Sequence, residues 1–228
     1  MNRLVSFLVV VFLCLACKQV NDKDDVEQSE TAYNQTLANE LSKIYVIDQL
    51  AASNAYPPDD YQHLSQEEWV SFKDSIFTTH QKRAKQMLNT YGFVGRDLAG
   101  EEGSRAFWII AQHSDHNPKF QLEVLEKMKI EVENDNADSR LYGLLTDRVN
   151  LNRGQAQIYG TQVKYNMEIC QAFPKQLADS SKVNKRRKEI GLEPLEVYLN
   201  DMTTMHFEMN KEYYSKKGIT EPKLNKIK

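Results

Sequence analysis

The sequence predicts a mainly α fold, a single-domain helical bundle with a small β-hairpin excursion. Three observations carry that expectation. Apolar residues recur at spacings of three and four over most of the chain, which gathers them on one face of a helix. Proline pairs, glycines and capping residues separate most of these stretches. One segment, Gly154 to Phe173, shows a period nearer two, with Ile158, Val163, Ile169 and Phe173 set among Gln, Thr and Tyr.

The chain opens on a leader. Arg3 supplies a positive charge, Leu4 to Leu15 form an apolar run broken only by Ser6, and the small residue Ala16 precedes Cys17. Such a run is too short to span a bilayer, which takes about 20 residues. The arrangement resembles a lipobox, with Cys14 and Leu15 standing where that motif prefers Leu and a small residue. The resemblance implies that residues 1–16 are a lipoprotein signal peptide and that Cys17 is lipidated. An ordinary secretory cleavage and an uncleaved leader are the alternatives. Acyl chains contributing about 0.8 kcal/mol per buried methylene would anchor the chain permanently, making the membrane its partner through Cys17. Lys18, where inner-membrane retention would place Asp, resembles outer-membrane sorting in Gram-negative lipoproteins. The expected location is therefore the cell envelope, lipid-anchored at the outer membrane.

Residues 17–30 read as the lipidated cysteine and a flexible tether, since Lys18 to Glu30 holds five acids, two lysines and only two aliphatic residues. Cleavage before Cys17 takes the 29 basic residues to 28 against 32 acidic ones, a balance that argues against a nucleic-acid partner. Cys14 leaves with the leader and Cys17 becomes a thioether, so Cys170 has no disulfide partner and reads as a small buried hydrophobe.

Residues 31–214 form the expected domain. Leu37, Leu41, Ile44, Ile47 and Leu50 define a helix over 31–53, ended by Pro57-Pro58. Ser65 and Glu68 form a capping box before the stripe Trp69, Phe72, Ile76, His80, Ala84, Met87 and Tyr91, which stops at Gly92. After a Gly-rich turn over 92–103, Ser104 to His113 is apolar on all sides, so this helix belongs at the centre. Asn117-Pro118 starts another helix carrying Phe120, Val124, Leu125, Met128 and Val132. Leu141, Leu144, Leu145 and Val149 mark the next, from about Ala137. Beyond the hairpin segment, Lys182 to Ile190 is helical with Gly191 as its stop, and Pro194 opens a last helix to about Tyr214. Residues 215–228 form a basic tail with five lysines, expected to fray.

The residues that could carry chemistry are polar ones inside apolar stretches. His113 lies on the same helical side as Ala106, Ile109 and Ile110, and Asp115 and His116 follow it. It reads as a helix-end structural histidine, as a general acid or base, or as a metal ligand. The compact HSDH spacing lacks the H-E-x-x-H geometry of a zinc helix, so no metal or other cofactor is expected. Arg187 shares the inward face of its helix with Val183 and Ile190, and Arg148 follows Leu141 and Leu144 inward with Asp147 beside it. Inward guanidiniums need a carboxylate or a ligand anion. Asp147–Arg187 and Asp115–Arg148 pairs are the structural readings, and recognition of an anionic or sugar-like ligand is the functional one. Gln155, Gln157, Tyr159, Thr161 and Gln162 surround Gly160 and suit either a polar ligand or an internal amide ladder.

The succession QHSDHNPKFQ, LLTDRVNLNRGQAQIYGTQ and VNKRRKEIGLEPLEVYL resembles an uncharacterised family of bacterial lipoproteins carrying a domain of unknown function, with motifs in the order QHxD, DRV, GxxQxYGTQ and VNxRRxxxGLxPLxxYL. The matching positions are Gln112, His113, Asp115, Asp147, Arg148, Gln157, Tyr159, Gly160, Gln162, Arg186, Arg187 and Gly191. The resemblance supports the domain and the choice of residues but implies no reaction.

Two functions follow as expectations. The first is a lipid-anchored envelope protein that binds a glycan or peptide through Arg148, Gln157, Tyr159, Gln162, Arg186 and Arg187. The second is an envelope hydrolase or lyase in which His113 is the catalytic acid or base and Asp115 or Asp147 orients it. Both place His113, Asp115, Asp147, Arg148, Tyr159 and Arg187 in one shared site, because an uncompensated buried charge costs several kcal/mol.

Overall fold

The computed structural model describes residues 33–227; the leader, Cys17 and the tether lie outside the described residues, along with the expectations placed on them. Helix α1 (Gln35–Ser53) begins where the Asn34 side chain accepts the Leu37 N–H at 3.0 Å. Its inward stripe is Leu37, Leu41, Asp48 and Ala51, while Ile47, expected inside, is 42% exposed. Helix α2 (Gln66–Tyr91) carries both halves of the capping box and buries Trp69, His80, Ala84 and Met87. At its last turn Leu88 turns inward in place of Tyr91, and Gly92 stops it at φ +78°.

Helix α3 (Arg96–Gln112) begins inside the stretch expected to be a turn, and Gly100 at φ +72° interrupts it after one turn. Gly103 is required by α3 itself: a Cβ there would lie 2.7 Å from the Ala99 Cβ, while the Ala38 Cα of α1 would be in ordinary contact at 3.8 Å. Since Ala38 faces Gly103 and Asp48 meets His113, α1 and α3 run parallel. Phe107, Ile110 and Ala111 are fully enclosed, so α3 is central as expected. Helices α4 (Pro118–Glu133) and α5 (Ser139–Asn152) cover its far side, capped by Asn117 and Asp138. The Trp108 indole donates to the Leu141 carbonyl at 2.9 Å, joining α3 to α5. One apolar cluster unites α1 to α5.

The excursion is an antiparallel hairpin, β1 (Val163–Asn166) and β2 (Gln171–Pro174), with Val163 opposite Pro174 and Asn166 opposite Gln171. Ala172 packs with Val183, Leu195 and Leu199 in a second, smaller core formed with α6 (Val183–Glu189) and α7 (Leu195–Met209). Asn210 breaks the expected last helix, its side chain donating to the His206 carbonyl, and α8 (Lys211–Lys216) follows. Cys170 is free and buried against Phe207 and Tyr214.

The basic end does not fray as expected. Lys223 N–H donates to the Cys170 carbonyl at 3.1 Å, Asn225 N–H to Asn200 Oδ1 at 2.7 Å, and Gln171 Nε2 to Asn225 Oδ1 at 3.1 Å. The partly buried carboxamides of Gln171 and Asn200 need partners, and the returning chain supplies them. No described helix is long and apolar enough to cross a membrane.

Candidate functional site

The residues expected to converge fall into three hydrogen-bonded sets. The first is centred on Asp48, which the inward stripe of α1 carries to full burial. His113 Nδ1 lies 2.5 Å from Asp48 Oδ1, and His80 Nδ1, from α2, lies 3.5 Å from Asp48 Oδ2. The first is a hydrogen bond; the second is ion-pair range and long for a hydrogen bond. Burial pushes the Asp48 carboxyl upward, but the contacts from His113 and His80 outweigh it and hold the group below its ordinary value. His80 is 7% exposed, whereas the His113 side chain keeps 20% of its surface in solvent, with the Phe77 ring edge-on at 5.6 Å. His113 closes α3, its N–H donating to the Ile109 carbonyl at 2.9 Å. The partner of His113 is therefore Asp48, and Asp115 points elsewhere.

The second set ties the α3–α4 turn to α5. Asp115 accepts Arg148 Nη1 at 2.6 Å, Asn152 Nδ2 at 2.9 Å and Gln121 Nε2 at 3.0 Å. Burial raises the Asp115 carboxyl, and the Arg148 charge with the amide donors carries it below the ordinary range. Gln121, wholly buried, also donates to the Ala111 carbonyl at 3.0 Å. This is the structural Asp115–Arg148 pair, half open to water, and it fixes how the helices meet.

The third set organises residues 157–161. Asp147 is fully buried on α5, with Oδ1 accepting the N–H groups of Ile158 at 2.7 Å and Tyr159 at 3.0 Å, and Oδ2 that of Thr161 at 2.8 Å. Both oxygens are occupied by backbone, which removes Asp147 from any role orienting His113. The Gln157 side chain bonds the backbone of Gln162 twice, its Nε2 donating to the carbonyl at 2.9 Å and its Oε1 accepting the N–H at 2.7 Å. Arg187, 1% exposed, meets no carboxylate directly among the described residues; it donates to the carbonyls of Glu193 at 2.6 Å and Tyr159 at 2.8 Å and stacks on the Tyr198 ring. Burial lowers the Arg187 guanidinium, opposed by the Tyr198, Glu193 and Asp147 charges. Arg186, expected among the ligand-binding residues, donates to the carbonyls of Ile158, Ala178 and Asp179. Tyr198 donates to the Thr161 carbonyl at 2.7 Å, and burial pushes its phenol up to about 12. Burial also raises the Tyr159 phenol. The amide-rich segment is thus an internal ladder bracketed by Asp147 and two arginines.

Sequence reasoning missed Asp48 and the part His80 plays. The signal was present: Leu37, Leu41, Ile44, Asp48 and Ala51 hold the helical spacing as well as a stripe through Ile47 does. Among the described residues, no group of three His, Cys, Asp or Glu side chains is placed to hold a metal ion.

No curated protein and no solved structure matches the chain. A match to a family of unknown function extends over residues 63–207, a span that includes His80, His113 and all members of the second and third sets. By that match the chain belongs to the family of unknown function DUF6624.

Proposed function

We propose that the chain is a lipid-anchored cell-envelope protein whose helical domain performs acid–base chemistry through His113, as a hydrolase or lyase acting on a glycan or peptide. One observation carries the reading: a fully buried Asp48 carboxylate bonds an imidazole that keeps an edge in solvent. An ionised carboxylate can only accept, so the His113 nitrogen facing it holds a proton. That tautomer leaves Nε2 to take up or deliver a proton at a substrate. Asp48 replaces Asp115 and Asp147 as the orienting residue, and His80 stands at its other oxygen. The leader ending at Cys17 supports the envelope location, and the location supports substrates built of sugar or peptide. Simple ligand binding by Gln157, Tyr159, Gln162, Arg186 and Arg187 has less support, because most of their polar groups bond within the chain.

The test is to incubate the full chain, solubilised in mild detergent, with isolated cell-wall sacculi, which contain both glycan and peptide, and to separate released products by chromatography. The native chain should release products, and His113→Gln, assayed well below its own melting transition, should slow release by about 10²- to 10⁴-fold. No release above a protein-free control, or full activity in the variant, would overturn the reading.

A further inference from the structure

We infer that the groove between α1 and α3, at the opposite end of those helices from His113, is a binding site for a saccharide. The groove has a volume of about 600 Å³, within the range of small-ligand sites. Its floor is made by Ala38, Ala99, Gly103 and Ala106, small residues that let the two helices approach and leave no side chain to fill the space above. Tyr33 and Tyr45 stand along the α1 side. Tyr45 rests one side against the main core, while Tyr33 is 53% exposed.

Two features make this a formed site. The Asn34 N–H donates to the Leu98 carbonyl at 2.8 Å, which pins the backbone next to Tyr33 onto the start of α3. At Gly100 the helix breaks at φ +72°, and the Tyr33 ring lies beside it, 3.6 Å from where a Cβ at that position would stand, an ordinary van der Waals contact. The Tyr33 ring is therefore positioned before any ligand arrives, with much of its surface still exposed.

The lining decides the ligand class. Asn39 and Ser42 offer amide and hydroxyl groups on one side, with Glu102 and Arg105 on the other. Among the described residues Arg105 has no carboxylate within ion-pair distance, although Glu101 and Glu102 precede it by one turn. Donors and acceptors of both kinds, facing each other across aromatic rings and a small-residue floor, match a molecule with hydroxyls around its edge and C–H faces above and below. Such alternation is the surface of a sugar ring. A phosphate-rich or purely apolar ligand would leave either the glutamates or the amides uncompensated.

The choice of saccharide rests on the envelope location proposed above, but the groove does not depend on His113, so the two readings fail separately. The full chain in mild detergent is titrated with a soluble tetramer of β-1,4-linked N-acetylglucosamine and, in parallel, with maltotetraose, following amide shifts by NMR. Saturable binding of either, with shifts at residues 33–45 and 99–106, is expected. Tyr33→Ala and Arg105→Ala, both at exposed side chains, should weaken it by about tenfold or more. Asn39→Trp, which fills the groove, should abolish it. Absence of saturation with both sugars, or native affinity in Tyr33→Ala and Asn39→Trp together, would overturn the site whatever the state of the acid–base reading.

Discussion

Replacing Asp147 by Asn removes one charge and one acceptor from a site where three backbone N–H groups depend on two oxygens. In the better orientation the amide keeps its oxygen at Oδ1, facing Ile158 and Tyr159, and turns its NH₂ toward the Thr161 N–H. Two bonds then fall from charge-assisted to neutral, and one buried N–H is left facing a donor. A hydrogen bond to a charged group contributes about 1.5–3 kcal/mol and a neutral one about 1, while an orphaned buried donor costs about 1–3, so the loss should be about 3–5 kcal/mol. For a domain of this size each kcal/mol moves the melting temperature by about 2–4 °C, which places the variant about 6–20 °C below the native chain. Urea and thermal unfolding measure the loss. Hydrogen exchange should locate it, with the amides of Ile158, Tyr159 and Thr161 losing protection before those of α3. A variant within about 0.5 kcal/mol of the native chain, with those amides still protected, would show that Asp147 is not what holds the segment, and would restore it as a candidate for chemistry.

Two further outcomes are expected. Asp48 has its carboxyl held below the ordinary value, so its stabilisation is fully present above about pH 3.9 and is lost as pH falls through the lowered folded-state value. Asp48→Asn should therefore differ from the native chain by about 3 kcal/mol near neutrality, with the gap closing in denaturant melts as acid protonates the carboxylate; a gap independent of pH would sink that account. Separately, Cys17→Ala should abolish incorporation of a tagged fatty acid and release the chain from membranes, and label persisting on the variant would refute lipidation.

The helices were legible where an apolar stripe met a local stop. Ser65 with Glu68, Asn117 with Pro118, and Gly92 are complete within a few residues, and each sits where its chemistry places it. The start of α3 was illegible because Gly100 and Gly103 read as a turn. Gly100 is indeed a break, but Gly103 is there because the Ala99 side chain lies 2.7 Å from where its own Cβ would stand, a contact that only the folded backbone reveals. Asp48 escaped for a related cause. Hydrophobicity chooses Ile47 for the inside, and only the imidazoles of His80 and His113, brought in by two other helices, make a buried carboxylate there tolerable. The Asp115–Arg148 pair was readable as one of two structural alternatives. The Asp147–Arg187 pair was not realised, because backbone groups of residues 157–161 and of Glu193 reached both side chains first. The docking of Asn225 had no signal in a lysine-rich end.

The parallel run of α1 beside α3 bears on where the working unit of this chain begins. The matched stretch starts at residue 63, after α1 has ended. Cut there, His113 would keep its helix and lose its counter-charge, and the small-residue face of Ala99, Gly103 and Ala106 would lie bare. At the other end, a cut at 207 would take Tyr214 from Cys170 and Phe207, and Asn225 from Gln171 and Asn200. The stretch by which relatives are recognised is therefore narrower than the body that folds. Grafting the matched stretch into another chain should transplant a recognisable signature and an incomplete machine, unless the helix before it travels too.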